Sequence, residues 1–300
     1  MMLPSCRYST AVQSRLLCAF LAVWLAGCTA VQLSYNHAGS LLRYKVSDYV
    51  DLDETQSIAF QERFSRVQDW HRAKELPAYV QFLEAAGARF SRGLSRADVD
   101  WAATTLRTHY RVLTSRAVEE AIPLLPTLSA EQLQSLEKGL AKDESKFRRE
   151  WLSGGQARRE RYVTEKMVER FEQWTGDLSA AQQARVGAFV RAHPNINDVR
   201  LQERRRWQRE ALDLIGGYRA PGELRPRLIR MFAEPDATRP ADYQRIMRNY
   251  ESDLSELIVE LDKTLSAEQR QAALRRIERY ARDFRELSLQ KPSSQQASPP

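Results

Sequence analysis

The sequence predicts an all-α fold: a multi-helix, antiparallel, bundle-like body behind an N-terminal signal peptide, closed by a C-terminal helical pair. Three observations point there. Apolar residues recur three or four positions apart in segment after segment, the spacing of a helix buried on one face. No convincing run alternates apolar and polar with period two. Gly and Pro number 12 each in 300 residues, too few for an all-β chain built on tight turns. Hydrophobic residues are 43% and charged residues 28%, so the chain can bury a core and is not wholly disordered.

The first element, 1–27, reads as a signal peptide. Arg7 and Arg15 make a basic start, and an apolar run follows from Leu16 to Ala26. A membrane span needs about 20 apolar residues, so this run is short for one and right for a secretory signal. It ends in Leu25-Ala26-Gly27-Cys28, which resembles the lipobox of bacterial lipoproteins. The resemblance implies cleavage between Gly27 and Cys28, a lipid on the Cys28 thiol and an acylated new amino end. Each buried CH₂ contributes about 0.8 kcal/mol, so several chains on one residue anchor stably where one is marginal. Thr29 stands where an Asp resembles an inner-membrane retention signal. That implies the periplasmic face of the outer membrane in a Gram-negative cell. Cys6 and Cys18 leave with the signal and Cys28 is consumed by lipid, so no thiol remains for a disulfide, a zinc site or a nucleophile.

The helices follow in order within a body at 28–215. Residues 53–73 place Phe60, Phe64, Val67 and Trp70 at helical spacing, and Pro77 interrupts before Tyr79, Phe82, Leu83, Ala86 and Phe90 resume it. Residues 95–120 carry Val99, Ala102, Leu106, Tyr110, Leu113 and Ala117. Ile122-Pro123 through Pro126 separates these from 129–152, which carry Leu133, Leu136, Leu140, Phe147 and Trp151. Gly154-Gly155 breaks or kinks the chain, and His193-Pro194 ends a further helix, because a residue before Pro avoids the helical region. The stretch 216–240 holds Gly216, Gly217, Pro221, Pro226, Pro235 and Pro240 and reads as a hinge. Beyond it, Tyr243 to Leu261 and Ile277 to Leu287 form the pair at 241–288. The tail 289–300 is mostly Pro, Ser and Gln and reads as disordered.

A short pattern recurs at helix starts. Leu128-Ser129-Ala130-Glu131-Gln132 returns as Leu178-Ser179-Ala180-Ala181-Gln182 and Leu265-Ser266-Ala267-Glu268-Gln269. Leu52-Asp53-Glu54-Thr55-Gln56 is a variant and Leu94-Ser95-Arg96-Ala97-Asp98 a looser one. Ser or Asp at the N-cap with Gln three residues on is a capping box. Leu128 has Leu133 available for a hydrophobic staple, whereas Leu265 faces Arg270. The unequal spacing of the boxes argues against a regular solenoid. The pattern resembles the Leu-Thr-x-x-Gln motif of the Spy- and CpxP-like periplasmic stress chaperones, with Ser or Asp in place of Thr. Over most of the mature chain there is a broader resemblance, carried by Val31-Gln32-Leu33-Ser34-Tyr35-Asn36 and Tyr49-Val50-Asp51-Leu52-Asp53. It is to an uncharacterised family of proteobacterial helical lipoproteins. It implies no activity and no catalytic residues.

Chemistry is sparse. His37, His71, His109 and His193 stand alone, without metal-ligand spacing. Asp48, Asp51, Asp53 and Glu54 lack the Gly and terminal Glu of a calcium loop and suit a helix start. Neither a metal nor a cofactor is predicted. Ser135-Leu136-Glu137-Lys138 matches the Ser-x-x-Lys of penicillin-binding proteins, but Lys263-Thr264-Leu265 lacks the required Gly. Glu144-Ser145 resembles the Glu-Ser of lytic transglycosylases without the downstream segment.

Lys+Arg number 46 against 39 Asp+Glu, for a net charge of +7, and all but eight of the basic residues are Arg. Arg204-Arg205-Arg206-Trp207-Gln208-Arg209 is the densest patch, and Arg275, Arg276, Arg279, Arg282 and Arg285 nearly fill the last helix. An exported chain does not normally meet nucleic acid. Anionic lipid, peptidoglycan carboxylates or an envelope protein are the expected partners, beside the membrane reached through the lipid. The expectation is a non-enzymatic, lipid-anchored envelope interaction or scaffold protein. A holdase-type chaperone is the alternative, and a cell-wall enzyme with Glu144 as its acid comes third.

Overall fold

The computed structural model describes residues 30–217 and 221–291. Cys28, Gly27, the rest of the signal and the end of the tail lie outside the described residues. The chain forms two compact units, Met1–Ala38 and Gly39–Pro300. The described part of the first is the short helix α1, Ala30–Asn36.

The second unit is helical, with no strand among the described residues. Its elements are α2 (Ala38–Ser47, starting at the boundary), α3 (Glu54–Trp70), α4 (Leu76–Ser91), α5 (Arg96–Ala121) and α6 (Ala130–Phe147). They continue as α7 (Gln156–Thr175), α8 (Ala180–Ala192), α9 (Ile196–Gly217), α10 (Pro221–Ala233), α11 (Ala241–Lys263) and α12 (Ala267–Leu289).

Pro77 does not break the chain. A π-helical turn, His71–Glu75, joins α3 to α4, and the Leu76 N–H reaches the His71 carbonyl. Pro77 follows that widened turn inside a helix that continues without a break, and the π turn is where the ring and the missing N–H of the proline are accommodated. The same turn aims two charged residues inward. Buried Arg72 donates to the Leu287 carbonyl at 3.2 Å and to Gln290 Oε1 at 2.9 Å, which ties the junction to α12. Buried Glu75 meets His109 Nδ1 of α5 at 3.0 Å. A second π turn, Arg148–Leu152, ends the α6 segment before Gly154, whose φ of +76° supplies the left-handed residue at the break.

The stretch 216–240, which reads as a hinge, contains α10 and a 3₁₀ turn, Pro235–Ala237. Pro221 opens α10 where no N–H is needed. Pro226, inside the helix, costs about 3 kcal/mol through a lost bond and a clash. Leu224, Leu228 and Met231 lie on one stripe and are almost fully buried. At about 1.5–3 kcal/mol each, their burial outweighs the proline. Leu224 and Leu228 pack with Val118 and Ile122 from the end of α5. The C-terminal pair belongs to the same compact unit as the body: α12 lies along α4, and α11 packs on α5 and α8. The largest apolar cluster joins Val186, Phe189 and Val190 of α8 to Tyr250, Leu257 and Leu261 of α11.

Candidate functional site

Four capping boxes form as the Ser/Asp-x-x-Gln spacing requires, at Asp53/Gln56, Ser129/Gln132, Ser179/Gln182 and Ser266/Gln269. Ser95/Asp98 makes a fifth. The structure adds what the spacing does not contain: the glutamine boxes join in pairs. Gln56 Nε2 donates to Gln132 Oε1 at 3.1 Å and to the Thr127 carbonyl at 2.9 Å. Gln132 Nε2 returns a bond to Gln56 Oε1 at 2.6 Å and reaches the Asp51 carbonyl at 2.7 Å. The second pair repeats this atom for atom. Gln182 Nε2 reaches Gln269 Oε1 at 3.1 Å and the Thr264 carbonyl at 3.0 Å. Gln269 Nε2 reaches Gln182 Oε1 at 3.0 Å and the Asp177 carbonyl at 2.7 Å. Matching Asp51-Leu52-Asp53 with Asp177-Leu178-Ser179, and Thr127-Leu128-Ser129 with Thr264-Leu265-Ser266, shows the fold using one joint twice.

The residues around the boxes follow the sequence reading in detail. Leu128 and Leu133 share a core cluster. Arg270, where a staple would need an apolar residue, instead donates to Asp262 Oδ1 at 2.9 Å and to the Phe90 carbonyl at 2.6 Å.

Glu144 is held by Arg205, whose Nε donates to Oε2 at 2.7 Å and whose Nη2 binds Oε1. That pairing pulls the Glu144 pKa below the ordinary carboxylate value, against a smaller opposing effect of burial. A general acid needs the opposite shift. Among the described residues, no group of three or more His, Cys, Asp or Glu side chains is placed to hold a metal ion. No described helix is long and apolar enough to cross a membrane. Near the start of the second unit, α2 exposes Leu41, Leu42 and Tyr44 to solvent.

The arginines divide into paired and unpaired sets. Within the densest patch, Arg205 is taken by Glu144, and Arg206 chelates Glu203 with two 2.8 Å bonds. Arg206 also reaches Glu210 at 2.8 Å. Of the α12 arginines, Arg285 pairs with Glu84. Among the described residues Arg204 makes no ion pair; its guanidinium lies over the Phe147 ring at 5.2 Å. One turn earlier, Arg200 lies over Tyr250 at 4.6 Å.

Arg200 and Arg204 open onto a basin made of two adjoining concavities. One, of about 550 Å³, lies between α5 and α11; the other, of about 530 Å³, lies against α9. They share Tyr110, Pro235, Arg239 and Tyr243. Arg239 is at the centre of the basin. Its Nη1 donates to Asp236 Oδ1 at 3.1 Å, its Nε is buried without a hydrogen bond, and its plane sits 5.3 Å from the Tyr243 ring. Burial pushes the Tyr243 hydroxyl pKa up, so it stays a neutral donor. Arg107 is paired with Glu251 across the first concavity. Trp207 and Phe232 meet edge to face at 4.7 Å in the wall of the second.

The sequence patch at 204–209 contains one arginine of this basin, Arg204. Arg107, Arg111, Arg200, Arg239 and Arg248 come from separate segments. Their sequence signal is the i, i+4 pairing of Arg with Arg on a helix, as in 107/111 on α5 and 200/204 on α9, which sets both on one helical face.

Fold and surface together define an all-helical protein whose described surface includes an arginine- and aromatic-lined basin. The chain belongs to a family of unknown function (DUF6279), whose model matches residues 48–244. The match takes in the first joint, α10 and most of the basin walls, and ends before Met247, Arg248 and Glu251. No curated protein and no solved structure matches the chain.

Proposed function

We propose that this chain is a lipid-anchored envelope protein that acts by binding rather than by catalysis. It would be held by Cys28 on the periplasmic face of the outer membrane of a Gram-negative cell. The observation that carries the reading is Leu25-Ala26-Gly27-Cys28 at the end of an apolar run with a basic start. Three further features support it. Leu41, Leu42 and Tyr44, which follow the proposed anchor by 13 to 16 positions in the sequence, are exposed apolar side chains of the kind a membrane surface takes up. The basin supplies concave, cationic surface for an anionic partner. Glu144, the one candidate acid for cell-wall cleavage, is committed to Arg205 as a carboxylate.

The test is in-cell photo-crosslinking from Thr108, on the basin, and from Arg275, away from it. A discrete partner captured from Thr108 and not from Arg275 is the expected result. The same scatter of envelope proteins from both positions would sink the reading. Muropeptide release should be unchanged by Glu144→Gln; loss of release would restore the enzyme.

A holdase-type chaperone is the second reading. It is favoured by the repeated Leu-x-x-x-Gln boxes and the way they join. It requires suppression of aggregation of a denatured client at near-stoichiometric ratio, and absence of suppression removes it.

A further inference from the structure

We infer that the basin is a binding site for a phosphate monoester carried on a sugar-sized polar body. The charge count sets the ligand's charge. Six arginines line the two concavities, Arg107, Arg111, Arg200, Arg204, Arg239 and Arg248. Four carboxylates accompany them, Asp143, Glu203, Asp236 and Glu251, leaving a surplus of two positive charges. The carboxylates are already engaged. Glu251 holds Arg107, Asp236 holds Arg239 and lies 3.8 Å from Arg111, Glu203 chelates Arg206 and lies 3.7 Å from Arg239, and Asp143 accepts from the Tyr49 hydroxyl. Among the described residues, Arg200, Arg204 and Arg248 form no ion pair; Arg248 donates to Gln244 Oε1 at 3.4 Å.

A phosphate monoester carries about −1.5 to −2 near pH 7, which matches the surplus. Guanidinium forks bind phosphate oxygens bidentately. Arg200 and Arg204 are already oriented by the aromatic rings beneath them, so less side-chain freedom is lost on binding. Arg239 Nε, buried in the shared wall of both concavities without a hydrogen bond, faces Glu203 Oε1 at 3.7 Å, which holds the guanidinium in place between them. Tyr110, Tyr243 and Trp207 offer ring faces and polar tips to the uncharged part of the ligand. Each concavity falls within the roughly 300–1,000 Å³ of small-ligand sites. The inference deepens the binding reading above by naming the chemistry of the basin's ligand. A chain that binds the monoester but yields no discrete crosslink leaves this inference standing and that reading wrong.

The experiment is calorimetric titration of the full chain in detergent with glucose 1-phosphate. Inorganic phosphate, methyl glucoside and sulfate serve as comparators, and mixed micelles containing phosphatidic acid form a separate arm. Glucose 1-phosphate should bind and methyl glucoside should not. Arg200→Gln with Arg204→Gln should weaken binding at least tenfold, while Arg275→Gln with Arg276→Gln, on α12, should change it less than twofold. Binding should weaken as pH falls below about 6, where the monoester takes up its second proton. Arg200→Lys with Arg204→Lys, which keeps charge but loses the fork, should recover only part of the affinity and guards against a folding artefact. Binding of phosphatidic acid micelles alone, abolished by the same glutamine pair, would assign the same chemistry to a lipid headgroup. Equal binding of sulfate and glucose 1-phosphate, or equal loss in the α12 variant, would overturn the site in favour of diffuse charge attraction.

Discussion

The glutamine amides of the two joints are used to capacity. Each Oε1 accepts from its own N-cap N–H and from the opposing amide, and each Nε2 donates to the opposing Oε1 and to a carbonyl across the joint. Gln182 is 2% exposed, so water cannot replace lost partners. Gln182→Leu should therefore cost about 2–3 kcal/mol in urea denaturation, more than the roughly 1 kcal/mol of an ordinary cap. A double-mutant cycle with Gln269→Leu should give a coupling of at least about 0.5 kcal/mol; simple additivity would show that the boxes act separately. The boxes themselves were legible because cap chemistry is local. Their pairing was not, because it depends on which helix starts are neighbours in space.

At the scale of the element, packing decides where local rules fail. Gly139 lies in α6, where Gly→Ala ordinarily stabilises by about 1 kcal/mol. Here a Cβ would sit 2.7 Å from Tyr49 Cδ1 and 3.2 Å from Tyr49 Cα. Gly139→Ala should therefore lower stability by about 1–2 kcal/mol as the turn before α3 is pushed away. In α4, a Cβ on Gly87 would rest 3.4 Å from Ile277 Cγ2, so Gly87→Ala should be neutral or stabilising. Thermal melts of the two variants check both signs. Helices with a clean stripe, such as α11 and α12, could be read from sequence with bounds close to those observed. α10 could not, because its apolar stripe lies among prolines whose cost is seen to be offset only once Leu224 and Leu228 are seen against α5. The π turn at His71–Glu75 was also invisible, since nothing in the pattern around Pro77 distinguishes a widened turn from a break.

For the molecule as a whole, the depressed pKa values act in one direction. Burial lowers His71 from 6.5, and hydrogen bonds from Arg205 and Arg225 lower Glu144 and Glu119 from 4.5. The folded state then binds fewer protons than the unfolded chain. The stabilisation is complete above the unfolded pKa and is lost as pH falls through the folded one. Tm should be flat from pH 8 to 7, decline gently below about 6.5 and fall steeply below about 4.5. His71→Phe should remove the first decline while leaving the second, as followed by circular dichroism. The basin belongs to this scale too. Composition revealed an arginine excess, but which arginines lack a carboxylate is settled only when α5, α9 and α11 come together.

Everything proposed for the envelope hangs on one atom, the Cys28 sulfur. Metabolic labelling of growing cells with radioactive palmitate tests it directly. Wild-type chain should carry label and Cys28→Ser should carry none. Label persisting in Cys28→Ser, or absent from the wild type, would contradict the anchor.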